Sequence, residues 1–127
     1  MKLLDTMVIV GAMNPADKHH KTAMSHLRDL QFAQETYIPT SSLTEFDLVL
    51  RNSGYTEDEI SETWAALAPI VGSKFLATTP TSHLTAARIR IEGLTYFDSL
   101  IAALAKEMQA VVVTKDAEIA KHVETQW

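Results

Sequence analysis

The chain has no cysteine. That removes disulfides, a thiol nucleophile and any thiolate zinc site, and it fits a reducing compartment such as the cytoplasm. Only four glycines occur, at 11, 54, 72 and 93. None belongs to the glycine-rich turn that cradles a dinucleotide or a nucleoside triphosphate, so those cofactor readings fail. A Gly-x-Ser-x-Gly nucleophile elbow is also missing, which excludes that form of serine hydrolase. Long hydrophobic runs are lacking too. Leu3 to Met13 and Leu100 to Ala105 are interrupted or too short to span a bilayer. No basic leader precedes an apolar run at the N-terminus. The expectation is a protein that is neither secreted nor membrane-embedded. Positive charge is the minority: 11 Lys and Arg against 16 Asp and Glu give a net charge of −5, which on its face argues against a partner made of phosphates.

What is present is the composition of one ordinary folded unit: 127 residues, 46% hydrophobic and 21% charged, without repeats or linker-like stretches. A single domain over 1–127 is expected. Lys2-Leu3-Leu4 reads as a short strand ending at Asp5, followed by a helix over Thr6 to Met13 that Asn14-Pro15 stops. Asp17 to Phe32 has an amphipathic helical pattern through Ala23, Leu27 and Leu30. Thr36-Tyr37-Ile38 is a second strand candidate. Ser42-Leu43-Thr44-Glu45 has capping-box spacing, which would open a helix at Ser42 and put Glu45 in its first turn. A second capping box, Thr56 to Glu59, starts a helix through Val71, with Pro69 disturbing its end. Phe75-Leu76-Ala77 is a brief strand candidate, and Thr81 or Ser82 can cap a helix through Ile91. Asp98 opens a further helix, Ala110 to Val113 is an apolar strand of the kind buried in a parallel sheet, and Asp116 caps a last helix over Ala117 to Val123. Strands alternating with helices predict an α/β fold.

Four acids stand out: Asp5, Glu45, Asp98 and Asp116. Each falls at a strand's carboxyl end or in a helix's first turn. In parallel α/β sheets that edge is where ligands bind, so residues far apart in sequence can converge there. Converging carboxylates without basic partners repel one another, a cost that a hard divalent cation removes. Such a cation can activate water and stabilise charge building on a phosphoryl oxygen. Taken singly, each acid also fits a helix cap, Glu45 most of all. Asp5 and Asp98, however, follow apolar residues (Leu3-Leu4 and Tyr96-Phe97) that draw them toward the core.

Leu3-Leu4-Asp5-Thr6, Ser41-Ser42-Leu43-Thr44-Glu45, Phe97-Asp98-Ser99-Leu100-Ile101-Ala102-Ala103 and Val113-Thr114-Lys115-Asp116 resemble, in order and spacing, the PIN-domain nucleases. Within that family the chain looks most like the small VapC-type toxins of toxin–antitoxin pairs. The resemblance implies a three-layer α/β/α sandwich with a short central parallel sheet and a metal-dependent endoribonuclease. It makes Asp5, Glu45, Asp98 and Asp116 an acidic quartet for Mg²⁺ or Mn²⁺, with Thr114 lining the site beside the last acid. It further implies an RNA substrate, an antitoxin partner and a homodimer built around helices near 41 to 71. Similar sequences often carry serine or another small residue where Met7 stands, and an aromatic at Ile119. Both departures leave the acids intact. The alternative is a catalytically silent PIN-like module that binds RNA or protein.

Other acids and bases weigh less. Asp47 lies about 200° around a helix from Glu45 and should face elsewhere. Glu118 is held as an auxiliary ligand, with solvated surface the favoured reading. His19 and His26 can share a helix face, but no further zinc ligand is evident. Tyr37, Tyr55, Trp64, Phe75 and Trp127 are expected in packing rather than on bases. The cations at 18, 21, 28, 51, 88, 90 and 121 read as solvated surface, whereas Lys115 sits at the pocket rim. A phosphoaspartate hydrolase would want an acid two after Asp5, where Met7 stands, and a receiver domain would want paired N-terminal acids. If the quartet held two divalent ions, the net charge would rise to about −1, and acidity would stop counting against RNA.

Overall fold

A computed structural model describes all residues, 1–127. Five parallel strands form the central sheet in the order β3-β2-β1-β4-β5. They are β1 (Lys2–Leu4), β2 (Thr36–Pro39), β3 (Phe75–Leu76), β4 (Val111–Val113) and β5 (Thr125–Gln126). Seven helices accompany them: α1 (Thr6–Met13), α2 (His20–Phe32), α3 (Thr40–Asn52), α4 (Glu57–Val71), α5 (Pro80–Ile91), α6 (Tyr96–Met108) and α7 (Ala117–Ala120).

Side-chain alternation along three-residue strands is enough to build the layers. Leu4, Ile38 and Val113 point into one core with Val8, Ile9, Leu27, Leu30, Phe46, Leu50, Ile60 and Leu67, under α1 to α4. Leu3 and Val112 point the other way, against Ile101, Leu104 and Ile119 of α6 and α7. A third cluster locks α5 onto α6 through Ala86, Ile89, Leu100, Ala102 and Ala103. The result is the expected three-layer α/β/α sandwich. Its tightest seam is between α1 and α2, where a Cβ on Gly11 would lie 3.0 Å from Ala23 Cβ. Glycine there is what lets α2 close over the sheet.

Several boundaries differ from the sequence pattern, each for a local reason. Helix α3 begins at Thr40, directly after β2, with Pro39 as N-cap and no side-chain cap. The Ser42–Glu45 capping box therefore does not form: Ser42 is buried inside the helix and Glu45 lies in its second turn. Burial of Ser41, Ser42 and Phe46 overrides the capping signal. Helix α2 starts at His20 because Asp17 Oδ1 accepts the His19 N–H (2.7 Å), closing a turn rather than a helix. Helix α5 starts at Pro80 under a capping box of Thr79 and Ser82, which moves the cap two residues ahead of Thr81. Tyr96, two residues before Asp98, opens α6 with Thr95 as N-cap. Helix α7 stops at Ala120, and the residues beyond supply β5, an edge strand too short and polar to announce itself. No helix is long and apolar enough to cross a membrane.

Candidate metal centre

The site grows from the pairing of β1 with β4. Their register sets Leu4 opposite Val113, so the next residues, Asp5 and Thr114, leave the sheet side by side. Asp5 caps α1, its Oδ1 accepting the Thr6 N–H at 2.7 Å. Its Oδ2 accepts the Thr114 hydroxyl, also at 2.7 Å. The Thr114 oxygen in turn accepts the Asp116 N–H at 3.1 Å. One buried threonine thus ties together two acids from opposite ends of the chain. Asp116 caps α7, its Oδ1 accepting N–H groups from Glu118 (2.7 Å) and Ile119 (3.3 Å).

Asp98 stands in the first turn of α6, where Oδ2 accepts the Thr95 hydroxyl at 2.8 Å. Glu45 comes from the α3 side. It is half-buried and forms no ion pair. Thr6, whose hydroxyl donates to the Ser42 carbonyl at 3.4 Å, bridges the starts of α1 and α3 and brings Glu45 toward Asp5.

Electrostatics mark these acids as a group. Burial pushes the Asp5 carboxyl up to about 6; the hydrogen bonds from Thr114 and Thr6 oppose the rise, and the charges of Glu45 and Asp98 add to it. Burial also raises Glu45, with the Asp98 charge reinforcing it and Thr6 opposing it. Asp98 rises by burial, against its Thr95 hydrogen bond, with the Asp116 charge adding to it. Asp5, Glu45 and Asp98 therefore each feel at least one other acid, and none of the four is paired with a Lys, Arg or His. A raised carboxylate without a counter-charge is a group whose charged form lacks a partner.

The side chains are not closed into a cage: no three Asp, Glu or His groups are drawn together closely enough to hold an ion between them. Asp5 and Asp116 are held at the helix ends they cap, and Asp98 by the Thr95 hydroxyl. The donor set still suits a hard divalent cation, being oxygen-only, anionic and short of positive charge. Asp98 and Asp116 each keep one carboxylate oxygen without a hydrogen-bond donor. Asp5 is the member whose two oxygens are already engaged.

The sequence departures have visible consequences. Met7 places its sulfur 3.2 Å from the Lys115 N–H and 3.3 Å from the Thr114 hydroxyl, filling the rim beside Asp5 with a soft thioether. Ile119 is fully buried among the α6-side core, so that change affects packing below the site rather than its lining. Glu118 is exposed and accepts both of its hydrogen bonds from Lys121, at 2.9 and 3.0 Å. Asp47 turns away, as its helical offset requires, and pairs with Arg51 at 2.8 Å and Trp64 Nε1 at 2.9 Å. His19 and His26 do share a face; both meet the Trp127 ring edge-on, at 5.4 and 5.2 Å between ring centres.

Thr6 and Thr95 were not singled out by sequence reasoning. Thr6 had only its adjacency to Asp5, since its role depends on a contact between α1 and α3, whereas Thr95 stands three residues before Asp98, a local spacing that could have flagged it.

Comparison with known proteins bears on the family and the fold. A model of the PIN domain family matches residues 2–124. No curated protein matches the sequence. Among solved structures, VapBC2 from Rickettsia felis, bound to a DNA fragment from its promoter, superposes with a TM-score of 0.76 at 18% identity, covering 99% of this chain and 98% of that one. VapC20 of Mycobacterium tuberculosis, a toxin that cleaves the sarcin–ricin loop, gives a TM-score of 0.71 at 14% identity, covering 95% and 94%. A toxin–antitoxin complex from Klebsiella pneumoniae gives 0.68 at 16% identity, covering 100% and 97%. With the family model spanning residues 2–124 and the sheet order, layers and acid-lined carboxyl edge already in view, the chain belongs to the PIN domain family.

Proposed function

We propose that this protein is a metal-dependent endoribonuclease that hydrolyses RNA phosphodiester bonds, and that it is the toxin of a toxin–antitoxin pair. The observation that carries the reading is the set of raised, cation-free carboxylates Asp5, Glu45 and Asp98 at the carboxyl edge of the sheet, with Asp116 tied to Asp5 through Thr114. Mg²⁺ or Mn²⁺ held by Asp5, Glu45, Asp98 and Asp116 would supply the positive charge that a scissile phosphate needs and lower the pKa of water beside it. Thr114 and Thr6 keep the Asp5 carboxylate oriented by donating to its two oxygens. Thr95 fixes one oxygen of Asp98 and leaves the other facing the cleft. Burial of Asp5, the most enclosed of the four, strengthens the charge interactions of that carboxylate.

The same reading gives the protein an antitoxin partner, a homodimeric state, a cytoplasmic location and a domain running through 1–127. It is supported by the fold shared with toxins of such pairs and by an apolar groove of about 420 Å³ lined by Val10, Met13, Phe46, Val49, Leu50 and Tyr55. A basic antitoxin segment would suit the net charge of −5.

The test is to incubate the purified chain, free of any partner, with single-stranded and structured RNA in Mg²⁺, Mn²⁺ or EDTA. Metal-dependent cleavage lost in Asp5→Asn and Asp98→Asn is the expected result. RNA binding without metal-dependent turnover would overturn it in favour of a silent PIN module.

A further inference from the structure

A second, differently built groove holds about 220 Å³ and lies between α3, α5 and the first turns of α6, lined by Thr40, Thr44, Thr78, His83, Tyr96 and Phe97 among others. Two of these residues adjoin candidate metal ligands in sequence: Thr44 precedes Glu45, and Phe97 precedes Asp98. The groove carries no carboxylate in its own lining.

Its chemistry is that of a surface for a flat, polar-edged ring. Tyr96 is 53% exposed, far from the packing role typical of tyrosine in a small domain. The Arg90 guanidinium lies over its ring, 5.1 Å from the centre. Arg90 is itself anchored by donating to the buried Ser99 hydroxyl at 2.8 Å. Phe97 meets Tyr96 edge-on at 5.3 Å. The aromatic platform is therefore rigid and backed by a cation, which favours stacking of a nucleobase and attraction of its phosphate.

Along the opposite wall, Thr40 Oγ1 accepts the Thr78 N–H at 3.2 Å, leaving its own O–H to donate. Thr44 Oγ1 donates to the Thr40 carbonyl at 3.2 Å, leaving its lone pairs to accept. One free donor and one free acceptor side by side are what a base edge requires.

We infer that this groove is the subsite for one unstacked nucleobase of a single-stranded RNA, stacked on Tyr96 and read at its edge by Thr40 and Thr44. The inference rests on the nuclease reading for its choice of ligand, and its test is separable from it. A base held in a duplex is already stacked and cannot enter, so the subsite selects single strands or loops.

Binding of a fluorescently labelled single-stranded RNA of 12 nucleotides is measured by anisotropy in EDTA, where no cleavage occurs, alongside amide chemical shifts of the labelled full chain. Tyr96→Ala is expected to weaken binding about tenfold, in line with the loss of one stacked base. Tyr96→Phe should restore it, and Phe32→Ala, an exposed aromatic on α2, should change nothing. Shifts should concentrate at Thr44, Thr78, His83 and Tyr96, and a duplex of the same sequence should show no dependence on Tyr96. Thermal melts of each variant separate lost binding from lost fold.

In cleavage assays Tyr96→Ala should raise KM with little change in kcat. If single-stranded RNA binds the wild type and Tyr96→Ala equally, or shifts fall elsewhere, the subsite is wrong while metal-dependent cleavage leaves the nuclease reading standing. If Tyr96-dependent binding persists but no metal supports cleavage, the nuclease reading fails and the subsite stands. A wild-type chain that binds no RNA overturns the subsite.

Discussion

Glu45 and Asp47 sit two residues apart on α3 and differ in almost everything that matters. Glu45 faces the carboxyl edge of the sheet, where burial and the Asp98 charge raise its affinity for a proton. Asp47 faces the α4 side, where Arg51 and the Trp64 N–H hold it below the ordinary carboxylate range. Around Asp47 charge is complete: Arg51 also pairs with Glu57, and Trp64 packs edge-on against Phe46 at 5.7 Å. Around Glu45 it is incomplete, with three further acids and no cation. The same chemical group is thus structural on one face of a helix and available for chemistry on the other. The difference is the identity of the neighbours, not of the residue.

Neutralising one acid on each side breaks the comparison most sharply. Asp98→Asn should lower metal-dependent RNA cleavage by about 10³-fold, the scale at which losing a group that stabilises transition-state charge is felt. Asp47→Asn should leave the cleavage rate within about twofold. Comparable losses in the two variants would mean that the electrostatic division of α3 is wrong.

Stability against pH should separate the two sides next. Asp5 binds its proton more tightly in the fold, at about 6 against the ordinary 3.8, so its contribution is fully present below pH 3.8 and is lost as pH rises through about 6. That difference corresponds to about 3 kcal/mol. In metal-stripped protein, Asp5→Asn should therefore melt higher than wild type at pH 8 by a few degrees, with the advantage vanishing near pH 4. A constant difference between the two proteins across that range would refute the burial argument. Added Mg²⁺ or Mn²⁺ should raise the wild-type melting point at pH 8 and have no such effect on Asp5→Asn.

On the completed side the sign reverses. Asp47 is held down, so its contribution is present above pH 3.8 and fades as the pH falls through its lower folded value. The Asp47–Arg51 pair is partly exposed, so solvent screening keeps the loss in Arg51→Ala small. Trp64→Phe, which removes one donor to Asp47 and keeps the ring contact with Phe46, should cost about 1 kcal/mol. Urea titration at pH 7 and pH 3 measures both, and a larger cost at pH 3 than at pH 7 would contradict the assignment.

Much of this architecture is legible in the chain because its signals are local. Lys2-Leu3-Leu4 ahead of Asp5 and the run Val111-Val112-Val113 ahead of Thr114 mark strands whose ends carry polar residues. The Thr56–Glu59 capping box forms as its spacing requires. The Ser42–Glu45 pattern has the same spacing and fails, because Ser42 is buried beneath α3 and the helix already begins at Thr40. A cap is decided by which residue reaches solvent, and that depends on what packs above it. The edge strand β5 was hidden because two polar residues carry no strand signal of their own.

By itself the sequence determined the order of elements apart from β5 and the two-sided sheet, and it singled out the four acids, since hydrophobic period and strand length need only near neighbours. Tertiary structure alone decided that Thr114 would join Asp5 to Asp116, that Thr6 would draw Glu45 inward, and that Glu118 and Asp47 would be spent on Lys121 and Arg51. It also set the Arg90 guanidinium over the Tyr96 ring. Proton affinity and ligand geometry depend on burial and on charges a few ångströms away, and those distances are fixed by strand register and helix packing.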